Sequence, residues 1–284
     1  MSDIDNLQPL HSSNVPDPVL PVELEREIFE FAAANSLSCA ATLSLVAQRV
    51  REWMEPFLYD VLVLKRRLTN PPKYPPLYEP ITKEKLPRFK RATLHARHVL
   101  LQNVPQTVAE DVLRGCLHVV NLALWDTKPH SLFSIIKSLP IQRLSIEVDI
   151  LSPLSDPFKF DHTTFPCLTH LDAIVHWEEN CEWDEWENLA LLPNLTHVAF
   201  EYPTPGLIEN ILTKCKKIRV FVAFYRGNSR PTLMIEDDRI VETRTMIDYD
   251  EDWQHGADGG EYFWSIADDT VATRQRERGT KGNA

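Results

Sequence analysis

The sequence lacks every short motif that would place a nucleotide or an activated nucleophile. Its 284 residues hold no G-x-x-x-x-G-K-[ST], no G-x-G-x-x-G and no G-x-S-x-G. Gly256, Gly259 and Gly260 neither follow an expected strand nor open onto a phosphate-binding helix. Nor is there a hydrophobic run approaching the ~20 residues of a membrane helix. Basic charge is short: the formal net charge is -11, which argues against general nucleic-acid binding. Cysteine is sparse and odd in number. Cys39, Cys116, Cys167, Cys181 and Cys215 lie far apart, which reads as reduced intracellular thiols and not a disulfide framework. His162, Cys167, His170, His176 and Cys181 do not have the spacing of a zinc knuckle or ribbon, so no metal and no cofactor is expected. What remains is 43% hydrophobic and 25% charged, the composition of an ordinary globular chain.

Residues 1–17 are polar, acidic and proline-bearing. They are expected to be a disordered arm and do not resemble a secretory signal. Residues 18–60 read as two short amphipathic helices. The first opens at Pro21, has Glu23 and Glu25 in its first turn, and carries Leu24, Ile28, Phe31 and Ala32 as one stripe. Asn35-Ser36-Leu37-Ser38 breaks the pattern and offers an N-cap. Leu43, Val46, Ala47, Val50 and Trp53 or Met54 form the stripe of the second helix, and Pro56 is expected to stop it. A pair this small cannot bury both stripes against itself, so it needs a larger neighbour or a partner.

Residues 61–92 are expected to be a short strand, with β-branched Val61 and Val63, and then a proline-rich connector. A short helix fits near residues 82–90. Between Lys65 and Arg97 there are ten Lys/Arg and two acidic residues. From residue 93 to 247 a repeat of the form apolar-x-x-apolar-x-apolar appears. Its central positions are Val99, Leu122, Leu144, Leu171, Val198 and Phe221, with steps of 23, 22, 27, 27 and 23 residues. That spacing leaves room for a crossover helix between parallel strands, and helical stretches are read at residues 107–117, 130–139, 185–192 and 206–214. Alternation sends one set of strand residues into the core. The other set, His98, Asn121, Trp125, Arg143, Glu147, His170, Asp172, His197, Glu201 and Phe224, goes to an outer, concave face. Residues 172–187 hold seven Asp/Glu, no Lys/Arg and three tryptophans, which reads as a solvated insertion. In the last part, 248–284, residues 248–260 read as an acidic loop. Phe263, Ile266, Ala267 and Val271 mark a helix that would cap the last repeat.

Two resemblances follow from these residues. Leu20-Pro21-x-Glu23-Leu24, then Ile28-Phe29, then the run from Leu43 to Trp53 resembles an F-box. Ala47 stands where that family more often has Cys or Ser, and Trp53 comes late. The strand repeats resemble irregular leucine-rich repeats, most of them without the consensus turn Asn. The bland alternatives are a helical hairpin capping a larger domain, and an ordinary α/β layer domain. Taken together, the chain resembles an F-box/leucine-rich-repeat protein of the fungal kind. The resemblance implies an α/β fold: an F-box-like helical hairpin, then an irregular solenoid with a parallel sheet and a capping helix. It also implies that the chain is not itself an enzyme. Leu20, Pro21, Leu24, Ile28, Leu43, Val46 and Trp53 would contact a Skp1-like adaptor or form the F-box core. Through that adaptor the chain would join a cullin–RING ubiquitin ligase in the cytoplasm, the nucleus or both, and the outer strand residues would hold a protein substrate. A repeat scaffold that binds a protein but no adaptor is the alternative.

Overall fold

The structure is a computed structural model that describes residues 20–34, 36–65, 86–127, 132–147, 160–175, 182–225, 235–244 and 248–281. The chain divides into two compact units, one ending at Leu58 and the other beginning at Tyr59.

The first unit has three helices where the sequence suggested two: α1 (Val22–Ala33), α2 (Leu37–Leu43) and α3 (Gln48–Leu58). Pro21 is the N-cap of α1 and not its first helical residue. Ser36 caps α2, its Oγ accepting from the Cys39 amide at 3.1 Å. Residues 44–46 form a turn that splits the expected second helix. Pro56 does not stop α3. It sits in the last turn, where its missing N–H removes one helical hydrogen bond, and the helix continues to Leu58. The core is Ala33, Ala40, Val50 and Met54, with Phe29, Leu43 and Trp53 packed on it. Arg49 on α3 grips Glu25 on α1 with two bonds, Nη2–Oε1 at 2.7 Å and Nε–Oε2 at 3.2 Å. The face of α1 that packs inward is thus Phe29 and Ala33, while the stripe Leu24, Ile28 and Phe31 points outward.

The second unit is an α/β domain around one eight-stranded sheet. Its strands are β1 (Val61–Lys65), β2 (His98–Gln102), β3 (Asn121–Trp125), β4 (Arg143–Glu147), β5 (His170–Ile174), β6 (His197–Glu201), β7 (Val220–Tyr225) and β8 (Ile240–Arg244). They pair in chain order and every pair is parallel. The six repeat centres read from the sequence lie in register, Val99 beside Leu122, Leu122 beside Leu144, and so on to Val198 beside Phe221. Entry to each strand repeats too: the amides of Gln142, Thr169, Thr196 and Arg219 donate to the carbonyls of Val120, Gln142, Thr169 and Thr196 at 2.8–2.9 Å. The residue just after β2, β3 and β6 (Asn103, Asp126 and Tyr202) takes a left-handed conformation, φ 49–52°, which turns the chain off the sheet at the same place in each unit.

The connecting helices are α4 (Leu86–His95), α5 (Gln106–Gly115), α6 (Phe133–Ile136), α7 (Trp183–Trp186, continued by a 3₁₀ turn, Glu187–Leu191) and α8 (Pro205–Lys214). They cover the inner face, where Leu62, Leu101, Leu122, Leu144, Val198 and Phe221 meet Val112, Ile136, Trp186, Leu207 and Ile211 in one core. Trp183 and Trp186 belong to that packing, so this part of the acidic stretch is not a solvated insertion. Residues 176–181 lie outside the described residues, as do 66–85 of the connector and the arm up to residue 19.

The C-terminal part differs most from expectation. Residues 249–257 are a helix, α9 (Tyr249–Ala257), not a loop. The helix α10 (Phe263–Lys281) exists where it was read, but it does not simply close the end of the array. Its Phe263, Trp264, Ala267 and Val271 pack on Ala199, Val220, Val222, Phe224 and Val241 of the outer face. From α9, Trp253 and Ala257 pack on Leu100, Ala123 and Trp125. Beyond these contacts, Arg274 Nη1 donates to the carbonyls of Ile240 (2.5 Å) and Asp238 (3.3 Å), and Arg278 pairs with Asp238 at 2.8 Å.

Candidate functional site

Two surfaces collect the residues singled out from the sequence. On the helical unit, Leu20, Pro21, Leu24, Ile28 and Val46 are exposed, whereas Leu43 and Trp53 are part of the unit's core. The exposed apolar set is larger than the sequence suggested. It also takes in Val22, Phe31 (77% exposed), Leu37 and Leu45 (84% exposed). Phe31 was visible at i+3 from Ile28. Leu45 was hidden because residues 43–50 read as one continuous helix, which put it on the polar side. On α1, Leu24, Ile28 and Phe31 share one side of the helix, and an exposed apolar stripe of this kind is a usual mark of a docking surface.

On the sheet, all ten residues assigned to the outer face do lie on it, at the first, third and fifth positions of their strands. That face is not open, however. Asn121, Trp125, Glu147, Asp172, His197, Glu201 and Phe224 are buried, and His98, Arg143 and His170 are half-buried. Residues of α9 and α10 pack over it, so most of these side chains are closed off from solvent. The sequence signal for α9 was the i, i+4, i+8 spacing of Tyr249, Trp253 and Ala257, obscured by Asp250, Glu251 and Asp252 between them.

Many of the polar groups on this face are paired. Trp125 Nε1 donates to Ser145 Oγ at 2.9 Å. Ser145 Oγ and Tyr249 OH each donate to Asp172 Oδ2 at 2.5 Å. The Asp126 amide donates to Glu147 at 2.5 Å, and Asn121 Nδ2 lies 3.3 Å from His98 Nδ1. Arg143 donates to Tyr262 OH at 2.6 Å, Lys65 pairs with Asp250, and His197 Nε2 lies 3.0 Å from Asp268. The rings of His170 and His197 stack at 4.0 Å, and Trp264 sets its edge against both.

Burial controls the charge states here. It raises the Asp172 carboxyl to about 6 despite its two hydroxyl donors. It lowers His170 to about 2, helped by the positive charge of His197 when protonated and of Arg143. His197 is also lowered by burial, with Asp268 opposing. Tyr249 is raised, by burial first and then by Asp172. Burial holds the Cys116 and Cys215 thiols protonated, at about 12 and about 11. Beneath α9 and α10 a cavity of about 20 Å³ is lined by Arg143, Ser145, His170, Asp172 and Trp264 among others. That is room for about one water, against the ~300 Å³ or more of a small-molecule site. In the His/Cys list, His162 and Cys167 are exposed and His170 stacks on His197, while His176 and Cys181 lie outside the described residues. Among the described residues, no three His, Cys, Asp or Glu side chains are placed to hold a metal ion, and no helix is long and apolar enough to cross a membrane.

Compared with models of protein families and with curated proteins, the chain matches none.

Proposed function

We propose that the protein is the substrate-recruiting subunit of an SCF-type ubiquitin ligase. On this reading residues 20–58 are a divergent F-box that docks on a Skp1-like adaptor. Residues 59–244 are an irregular leucine-rich-repeat array, one strand per turn, that brings a protein substrate to the ligase. The adaptor supplies the link to a cullin and a RING subunit, and the chain itself does no chemistry. It would work where that machinery works, in the cytoplasm, the nucleus or both.

The observation that carries the reading is the apolar surface of the helical unit. The stripe Leu24, Ile28 and Phe31 turns away from the unit's own core, and Leu20, Leu45 and Val46 are exposed as well. Leaving so many apolar side chains in water is unfavourable in a lone domain. Burying each Leu or Ile against a partner contributes roughly 1.5–3 kcal/mol. The Leu-Pro-x-Glu-Leu opening falls inside this same surface.

The test is a pull-down of a Skp1-like adaptor by the full chain and by the double variant Leu20→Asp, Ile28→Asp. Ile28 is 57% exposed and Leu20 44%, and neither belongs to the unit's core. Losing two such burials weakens the complex by about 3–6 kcal/mol, that is by about a hundredfold or more. Adaptor binding by the parent and none by the variant is expected. A parent chain that binds no adaptor, while its sheet domain still binds a protein, would leave the scaffold reading instead.

A further inference from the structure

All eight strands run parallel, so every turn that leads from the helical layer back into a strand lies at one edge of the sheet. Six such turns serve β2 to β7: residues 94–97, 114–120, 137–142, 166–169, 191–196 and 214–219. Together they hold seven Lys/Arg and no Asp/Glu, in a chain whose formal net charge is -11. Arg97 leads into β2, and Arg114 and Lys137 begin the turns to β3 and β4. Lys214, Lys216, Lys217 and Arg219 crowd the turn to β7. All seven are exposed. Among the described residues none of them is in an ion pair.

The same edge gathers apolar side chains left in water. Four large ones are exposed among the described residues of the sheet domain. Leu94, Leu117 and Leu191 (53%, 62% and 54% exposed) lie in these turns, and Ile266 on α10 is the fourth. The helix dipole accounts for Arg114 and Lys214, in the last turns of α5 and α8. It accounts neither for Arg97, Lys216, Lys217 and Arg219, which lie beyond the helices, nor for the leucines. Carboxylates bound the edge at its limits, Asp60 before β1 and Glu236, Asp237 and Asp238 before β8. Asp237 and Asp238 are held by Arg239 and Arg278. The carboxylates of the outer face do not reach it: Glu147 and Glu201 stand at the far ends of β4 and β6, and Asp172 is closed in by Ser145 and Tyr249.

We propose that this strand-entry edge, and not the closed outer face, is the docking surface of the sheet domain, and that its partner is an extended, acidic, leucine-bearing segment of another protein. The inference rests on the reading of the sheet domain as a recruiter and names the class of substrate that it takes. Five strand steps of about 4.8 Å separate β2 from β7, so the edge is about 24 Å long. An extended segment of about seven residues spans it. The charges sit toward the two ends, and the turns to β5 and β6 between them carry none. A matching segment is therefore acidic at both ends and apolar between. A nucleic acid fits less well: the six turns hold no Phe, Tyr or Trp on which a base could stack, and exposed leucines gain nothing from phosphates. Opposite charge sets the association rate, and the leucines hold the segment once it has arrived.

The test selects peptides of about ten random residues, displayed on phage, against the full chain and against the variant Arg97→Glu, Lys216→Glu, Lys217→Glu. Peptides enriched by the parent and lost on the variant should carry both Asp/Glu and Leu or a like residue. The most enriched one, synthesised with a fluorescein label, should bind the variant at least tenfold more weakly in fluorescence anisotropy. Leu117→Ser with Leu191→Ser should weaken it at least tenfold as well, with less change in its salt dependence. The same peptides enriched by parent and variant, edge-dependent peptides without acidic or without apolar residues, or a single-stranded oligonucleotide that binds the parent more tightly than the selected peptide each overturns the proposal. Where the triple variant loses its cooperative urea transition, Arg97→Gln with Lys217→Gln replaces it. The variant Leu20→Asp, Ile28→Asp should bind the peptide as the parent does, and the edge variant should still bind the adaptor, so failure there and failure here are separate results.

Discussion

Replacing Asp172 by Asn should make the sheet domain more stable at neutral pH and leave it unchanged in acid. Asp172 lies wholly inside the layer between the sheet and α9, 3% exposed, with Ser145 and Tyr249 donating to one of its oxygens. Burial raises its carboxyl from the ordinary 3.8 to about 6, so the folded protein favours the protonated form. The stabilising contribution is complete below pH 3.8 and is lost as pH rises through about 6. Between those limits it corresponds to about 3 kcal/mol, at 1.36 kcal/mol per tenfold. Relaxation and water entry in the real protein bring the expected gain in the variant to about 1–3 kcal/mol. The Asn carbonyl still accepts both hydroxyl donors, so no hydrogen bond is lost. His170 and His197 titrate in the opposite sense. Both are lowered by burial, and their contribution is lost as pH falls below the ordinary 6.5. They are present in both proteins and cancel in the difference. Urea denaturation from pH 4 to pH 8, followed by tryptophan fluorescence in a Trp53→Phe background that silences the helical unit, gives that difference directly. A variant that is less stable than the parent at pH 8, or a difference that does not vary with pH, would refute the reasoning.

Two further predictions concern packing and capping. Gly256→Ala places a methyl group 2.4 Å from the Tyr262 ring, whose hydroxyl holds Arg143. It should destabilise the domain by about 1–3 kcal/mol, and hydrogen exchange should show the loss concentrated in α9 and the start of α10. Ser36→Ala removes the hydroxyl that accepts from the Cys39 amide. The helical unit should lose about 1 kcal/mol, read as a lower urea midpoint of the Trp53 signal, with the sheet domain unaffected.

The parallel array was legible in the sequence because its core side obeys a strict rule. Val99, Leu122, Leu144, Leu171, Val198 and Phe221 are all fully or nearly fully buried, and each is flanked two residues on by a second inward residue. Steps of 22–27 residues then require parallel neighbours. The outer face was legible as a list, since alternation fixes which residues point there, but not as an environment. Nothing in His98 or Phe224 says whether solvent or a helix lies above. The amphipathic signal of α10 was visible, whereas its docking partner was not, because a terminal helix with an apolar stripe fits the end of an array and its face equally well. In the helical unit the stripe of α1 was found, but not which side of the helix the unit's own core takes. Apolar spacing reports a face, not what covers it, and here Phe29 and Ala33 take the inward position. The break between α2 and α3 was missed because Ser44, Leu45 and Val46 carry neither glycine nor proline.

An array of identical ladder steps has no internal reason to stop at eight. In a parallel strand successive carbonyls point to opposite sides, and Arg239 already spends its carbonyl on the Phe221 amide of β7. The carbonyl of Ile240 therefore faces away from the sheet, where a ninth strand would seek it. Arg274 occupies that position at 2.5 Å and binds Asp238 as well. Its guanidinium is a charged terminator on the growing edge, of the sort that keeps open sheets from adding strands from neighbouring molecules. The same C-terminal helix that lies across the face thus also occupies an acceptor on the edge strand that a further strand would use.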